Sequence, residues 1–165
     1  MMKKLISIFL NLLFFSLIFS GCQKDLSADI GEMAPEISAT TLNGKKIRIH
    51  QQNDINKIIV FWQYGCLSCT QILPNLDEFL KQNLGIFKAY AINSVNDEKI
   101  IKNYIDEMSF SSIVVLKDDL KISFDRYGVK TLPSIFIIDK NGTIKDKIYG
   151  DIGWKNLKAK LSYFL

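Results

Sequence analysis

The sequence predicts an α/β fold: a three-layer sandwich whose mixed central sheet carries helices on both faces, with a β-hairpin extension at its N-terminal side. Three observations predict it. From residue 57 onward, apolar β runs alternate with helical stretches, the order that builds a sheet with a parallel core. Residues 57–63 read Lys-Ile-Ile-Val-Phe-Trp-Gln without polar alternation, as in a strand buried on both faces. Toward the C-terminus two β runs meet at Asn141-Gly142, a strong hairpin signal that adds an antiparallel edge. A length of 165 residues allows one such domain and a short extra segment.

The extra segment comes first. A short positive stretch with Lys3 and Lys4 precedes an apolar run over 5–19, and Ser20 and Gly21 close it before Cys22. This is the layout of a secretory signal, and the run falls short of the about twenty apolar residues that span a bilayer. Its small-small-Cys ending resembles the lipobox of bacterial lipoproteins, with Phe19 where leucine is usual. The resemblance implies that Cys22 is lipidated and becomes the N-terminus. An uncleaved anchor and plain secretion are the other readings, and all three place the mature chain outside the cytoplasm. The expected organisation is a lipoprotein signal peptide over 1–21, the lipidated cysteine and a polar tether over 22–30, and one domain over 31–165.

Within that domain, residues 37–49 hold two short β-like runs around Asn43-Gly44, a first hairpin. The buried strand over 57–63 leads into a helix over 66–83, on which Ile72, Leu73, Leu76, Phe79 and Leu80 share one face. Pro74 should kink that helix, and Gly85 ends it. A strand over 87–93, a helix over 98–108, a short β run over 113–116 and a short helix over 120–127 follow. Residues 134–138 form a strong strand, 143–149 the last strand, and 154–165 an amphipathic helix capped by Trp154. His50, the only histidine, is expected at a solvated strand end.

Hydrophobic residues make up 48% of the chain, a figure the leading segment inflates, and the rest still suffices for one core. The net charge of +4 includes Lys3 and Lys4. What remains is too weak and too evenly spread for nucleic-acid binding.

Two of the three cysteines, Cys66 and Cys69, form a C-x-x-C where the buried strand meets the helix. A helix N-terminus has unpaired N–H groups and partial positive charge, so Cys66 should have a lowered pKa and act as the nucleophile. Cys69 lies one turn on, on the same side, at a spacing that can close a disulfide. Cys66 would attack a substrate disulfide and Cys69 resolve the mixed intermediate. Three other readings stand beside this one. A structural disulfide suits an oxidising compartment, although so short a loop adds little stability. Half of a zinc site would lack a second cysteine pair and has only His50 to draw on. Two unrelated buried cysteines are the third.

The stretch Phe61-Trp62-Gln63-Tyr64-Gly65-Cys66-Leu67-Ser68-Cys69, with Pro74 five residues later, resembles thioredoxin. Tyr127-Gly128-Val129-Lys130-Thr131-Leu132-Pro133-Ser134-Ile135-Phe136 resembles its cis-proline loop. Gly31-Glu32-Met33-Ala34-Pro35, the hairpin after it and the insertion over 98–116 resemble the exported redoxins of the TlpA and ResA group. The resemblance covers 31–165, and all three prolines, Pro35, Pro74 and Pro133, fall at family positions. It implies a thioredoxin-like fold and a redox-active Cys66–Cys69 disulfide, with no cofactor and no metal. It also implies a cis Pro133 that faces the cysteines beside a backbone that binds substrate peptides. Without it, Pro133 reads equally as a trans proline opening an edge strand. Trp62 is expected to pack under the active-site helix. Tyr64 and Leu132 either line the substrate groove or are plain surface.

The sequence departs from the family pattern around the cysteines. Gly65 stands where tryptophan is usual, and Leu67-Ser68 replaces a dipeptide ending in proline. Val60 stands where thioredoxin has a buried aspartate, and Ile72 where ResA-like proteins have a glutamate. A thiol among apolar groups holds its proton more firmly, so water or the substrate would have to take it.

The layout favours a reductase of exported protein disulfides, for example those awaiting haem attachment in cytochrome c maturation. It would be a monomer, drawing electrons from an integral-membrane thiol carrier and held by its lipid to the cell envelope, facing the periplasm or extracytoplasmic space. The alternatives are a disulfide-forming oxidase or isomerase and a copper-gripping metallochaperone, whose relatives use wider cysteine spacing and a distant histidine. A peroxidase would need an isolated peroxidatic cysteine with its threonine, which this chain lacks.

Overall fold

The computed structural model describes residues 28–165 except 52 and 53, so the leading segment with Cys22 lies outside the described residues. Six strands form one sheet in the order β1-β4-β3-β2-β5-β6. Strand β2 (Asn56–Phe61) is the apolar run, buried along Ile58, Ile59, Val60 and Phe61. It pairs in parallel with β3 (Phe87–Asn93), and β3 pairs in parallel with β4 (Ile113–Lys117). On its other side it pairs antiparallel with β5 (Ser134–Ile138), which pairs antiparallel with β6 (Ile144–Tyr149). The change of direction therefore lies in the middle of the sheet. Phe61, the last residue of β2, sits opposite Ser134, the first of β5, so the chain enters β5 at the end where β2 leaves the sheet.

Side chains of a strand alternate between faces, and each face builds its own core. Ile58, Val60, Ala89, Ala91, Ile135 and Ile137 pack against helices α1 (Leu67–Gln82), α2 (Glu98–Met108) and α4 (Trp154–Ser162). On the other face, Ile59, Phe61, Tyr90, Ile92, Phe136 and Ile138 meet Ala34, Ile37, Ile49, Tyr127 and Val129, with Phe124 of helix α3 (Ile122–Arg126) against them.

Four expectations need adjusting. The first hairpin shrinks to β1 (Thr40–Thr41), which pairs antiparallel with β4, and a single Thr40–Lys46 bridge. Its second run ends in a 3-10 turn at Ile49–Gln51, because the Glu36 carboxylate accepts the amides of Ile49 (2.8 Å) and His50 (3.5 Å). His50 is accordingly not a solvated strand end: it is half-buried, with Nε2 2.8 Å from the Ala34 carbonyl oxygen. Helix α3 starts at Ile122 rather than 120, since the buried Asp118 carboxylate accepts the amides of Ile122, Ser123 and Phe124. Gly153, at φ +72°, takes the cap of α4, leaving Trp154 as first helical residue, edge-on to Phe79.

Candidate active site

Beyond β2 the chain stays with the sheet for one more residue, the Trp62 amide donating to the Ile92 carbonyl at 3.1 Å. It then turns through Gln63, Tyr64 and Gly65. Gly65 has φ +90°, with open space where a Cβ would stand. A left-handed backbone, not a lack of room, therefore calls for glycine here. The turn is clamped from the loop after β3. Asn96 Oδ1 accepts the Tyr64 amide at 2.7 Å and the Asn93 side-chain amide at 3.0 Å. The fully buried Asn93 in turn accepts the amides of Val95 and Asn96.

Cys66 follows as the cap of α1, with extended backbone. It is joined to Cys69 in a disulfide with the Cα atoms 5.3 Å apart. Its Sγ accepts the Cys69 amide at 3.3 Å and lies 3.5 Å from the Ser68 hydroxyl. The two sulfur-bearing residues differ sharply in access: Cys69 is 0% exposed, and Cys66 is half-buried. Only Cys66 is open to an incoming disulfide. An anionic Cys66 sulfur would keep the amide and hydroxyl donors and the positive end of a helix sixteen residues long. Val60 and Ile72, which pack in the same core as Cys69, are apolar and buried, at 1% and 2% exposure.

The Leu132–Pro133 peptide bond is cis. The pairing of Phe61 with Ser134 sets buried Pro133 beside the start of the cysteine turn, at the same end of the sheet. The Ser134 hydroxyl ties back to the Thr131 carbonyl at 2.6 Å, and the Pro133 carbonyl accepts the Gly150 amide at 2.8 Å. Leu132 is half-buried and touches both cores, the first of which also contacts Cys66. Tyr64 is 50% exposed.

Sequence reasoning did not single out Tyr104. Its ring packs on Trp62 (5.3 Å between centroids), Tyr64 (5.8 Å) and Phe110 (5.8 Å). Its hydroxyl donates to the Thr70 carbonyl at 3.2 Å. That carbonyl needs a donor, because the residue four positions on is Pro74, which has no N–H to return to it. Helix α2 thus repairs a bond missing from α1, one turn below the cysteines. Burial, the Glu107 charge and Tyr64 push the Tyr104 hydroxyl up to about 12, so it remains a donor at neutral pH. Trp62 is 1% exposed, and its indole Nε1 is buried without a hydrogen-bond partner among the described residues. Among the described residues no three His, Cys, Asp or Glu side chains gather into a metal-binding group.

Residues 30–147 match the AhpC/TSA family, and the chain belongs to it. Among curated proteins it is similar to the thioredoxin-like protein YneN of Bacillus subtilis (strain 168), 27% identical over 142 residues, covering 84% of this chain and 82% of that protein. It is also similar to the thiol-disulfide oxidoreductase ResA of Bacillus thuringiensis (strain Al Hakam), 28% identical over 133 residues, covering 80% and 76% respectively. Among solved structures, a putative thiol:disulfide interchange protein DsbE from Chlorobium tepidum superposes with a TM-score of 0.73 at 20% identity, over 82% of this chain and 97% of that one. The exposed lipoprotein thioredoxin Etrx1 of Streptococcus pneumoniae superposes with a TM-score of 0.67 at 22% identity, over 78% and 99%. The fold is thioredoxin-like. Family, fold and cysteine pair define a thiol–disulfide oxidoreductase whose redox group is a disulfide of its own chain.

Proposed function

We propose that this chain reduces disulfides of exported proteins, with Cys66 as attacking sulfur and Cys69 as resolving sulfur. The observation that carries the reading is the unequal access of the pair: Cys66 sits half-exposed at a helix N-terminus, and Cys69 is fully buried one turn below. The Cys66 thiolate attacks one sulfur of the substrate disulfide. A Cys66–substrate bond forms, and the other substrate sulfur leaves as a thiolate that takes a proton. Cys69 then loses its proton and attacks Cys66 Sγ, which releases the second substrate thiol. The pair ends oxidised by two electrons, and the substrate reduced by two. With Val60 and Ile72 beneath the pair, the Cys69 proton passes to water or to the departing substrate thiolate. An integral-membrane thiol carrier resets the pair by the same exchange in reverse.

Pro133, Leu132 and Tyr64 border the substrate's approach, and Trp62 supports the turn from below. The signal-like leader supports export, a lipid on Cys22 would hold the protein at the membrane, and 1–21, 22–30 and 31–165 are its leader, tether and domain. Among the described residues no helix is long and apolar enough to cross a membrane. The similarity to ResA supports clients of the cytochrome c maturation type. The test is trapping: Cys69→Ala should accumulate mixed disulfides with natural partners, and Cys66→Ala should form none and lose turnover. Full dithiol exchange by Cys69→Ala would refute the two-cysteine mechanism.

A further inference from the structure

A cavity of about 170 Å³ opens next to the cysteine turn, lined by Tyr64, Ile100, Asn103, Tyr104 and Glu107. Four of these come from α2 at positions that share one helix face. The fifth, Tyr64, stands two residues before Cys66 and places the cavity beside the turn that carries it. Its chemistry has one sign. The rings of Tyr64 and Tyr104, 5.8 Å apart at 56°, form an aromatic corner. Glu107 lines the same cavity and forms no ion pair among the described residues. Lys99 and Lys102 of the same helix do not line it. Tyr104 feels the Glu107 charge, which helps to hold its hydroxyl protonated. Aromatic faces and a carboxylate together attract a cation, and the volume suits one extended side chain.

We propose that this cavity is a substrate subsite for a lysine or arginine side chain close in sequence to the disulfide-bonded cysteine of the client. The proposal rests on the oxidoreductase reading and names a substrate class for it: polypeptide disulfides with a basic residue near the cysteine. Glu107 and the Tyr64–Tyr104 corner bind the side chain's charge, while Ile100 flanks its aliphatic stem. Their effect is on the encounter and orientation of the substrate, not on the sulfur exchange itself.

The test uses the reduced full-length protein in detergent and short synthetic peptide disulfides that differ only at one position near the cysteine: Lys, Arg, Gln, norleucine or Glu. Reduction of the Lys and Arg peptides should be about fivefold faster than that of the Gln peptide at low salt, and the advantage should shrink as ionic strength rises. Glu107→Gln should lower the Lys/Gln ratio about twofold or more, the aromatic corner keeping the rest, and Glu107→Lys should turn the preference toward the Glu peptide. Glu107 is exposed, and the melting temperature of each variant checks that it folds. Equal rates on Lys, Gln and norleucine peptides, or a Lys preference undiminished by Glu107→Gln, would overturn the subsite while leaving the oxidoreductase reading in place. No reaction with any peptide would overturn both.

Discussion

Helix α1 carries a different polar device at each end. Its first turn holds the Cys66–Cys69 pair above Val60 and Ile72, and the groups bonded to Cys66 Sγ are the Cys69 amide and the Ser68 hydroxyl. Two turns on, Asp77 is 3% exposed, yet it accepts the amides of Ser112 (2.7 Å), Ile113 (3.1 Å) and Ser111 (3.2 Å) and pairs with Lys81 at 2.9 Å. Burial alone would push the Asp77 carboxyl up, but Lys81 and the backbone donors outweigh it and hold the group below its usual value. A buried acid persists where donors saturate it, and this chain places its acid where it fastens the entry of β4. Beneath the sulfurs, at Val60 and Ile72, the side chains are apolar and buried, and among the described residues no carboxylate is hydrogen-bonded to either cysteine. One end of the helix is built to stay put and the other to react.

The difference can be broken from either side. Asp77→Ala leaves the amides of Ser111, Ser112 and Ile113 without their acceptor, and it should lower stability by about 2–4 kcal/mol in denaturant unfolding, while the potential of the cysteine pair stays unchanged. The sign of the pH dependence follows from the depressed pKa. The contribution of Asp77 is fully present above the ordinary carboxylate value and is lost as pH falls through the lower folded value. Asp77→Asn should therefore flatten the acid limb of a stability profile. A drop that left this limb unaltered would contradict the assignment.

Val60→Asp moves a buried acid to the other end, without amides to receive it. It should cost about 2–3 kcal/mol. Burial raises the new carboxyl, so its penalty grows as pH climbs past the unfolded value. In return, resolution of the mixed disulfide should speed up by about tenfold or more if proton removal from Cys69 limits it. Stopped-flow release of the second substrate thiol measures this step.

The smallest effects concern the joint between α1 and α2. Tyr104→Phe removes the donor to the Thr70 carbonyl and should cost about 1 kcal/mol. Pro74→Ala returns a backbone N–H to that carbonyl. In a double-mutant cycle it should cushion Tyr104→Phe by about 0.5–1 kcal/mol. Additive losses would show that the two donors do not serve the same oxygen.

The contrast between the two ends of α1 also marks what the sequence made legible. Strand β2 and helix α1 were readable because local apolar periodicity defines them, and so was the junction that places Cys66 at a helix cap. Asn141-Gly142 likewise announced the turn between β5 and β6. The second run of the first hairpin was misread because Glu36, thirteen and fourteen residues away, takes its amides. Asp77 and Tyr104 could not be found by pattern, since their partners lie 34 to 36 residues away for one and 34 for the other. The one local hint was Pro74, which signals an orphaned carbonyl at Thr70 without saying what meets it. Asn93 and Asn96 were hidden in a strand end and a loop whose meaning depends on Tyr64, a residue from the neighbouring parallel crossover.

The most direct test of the account is the reduction potential of the Cys66–Cys69 couple, measured by equilibrating the protein in graded thiol buffers and counting free thiols by alkylation and mass. A reductase should give a value at or below about −230 mV. A value above about −150 mV would contradict the proposed direction and point to an oxidase, and a pair that never closed reversibly would contradict redox catalysis altogether.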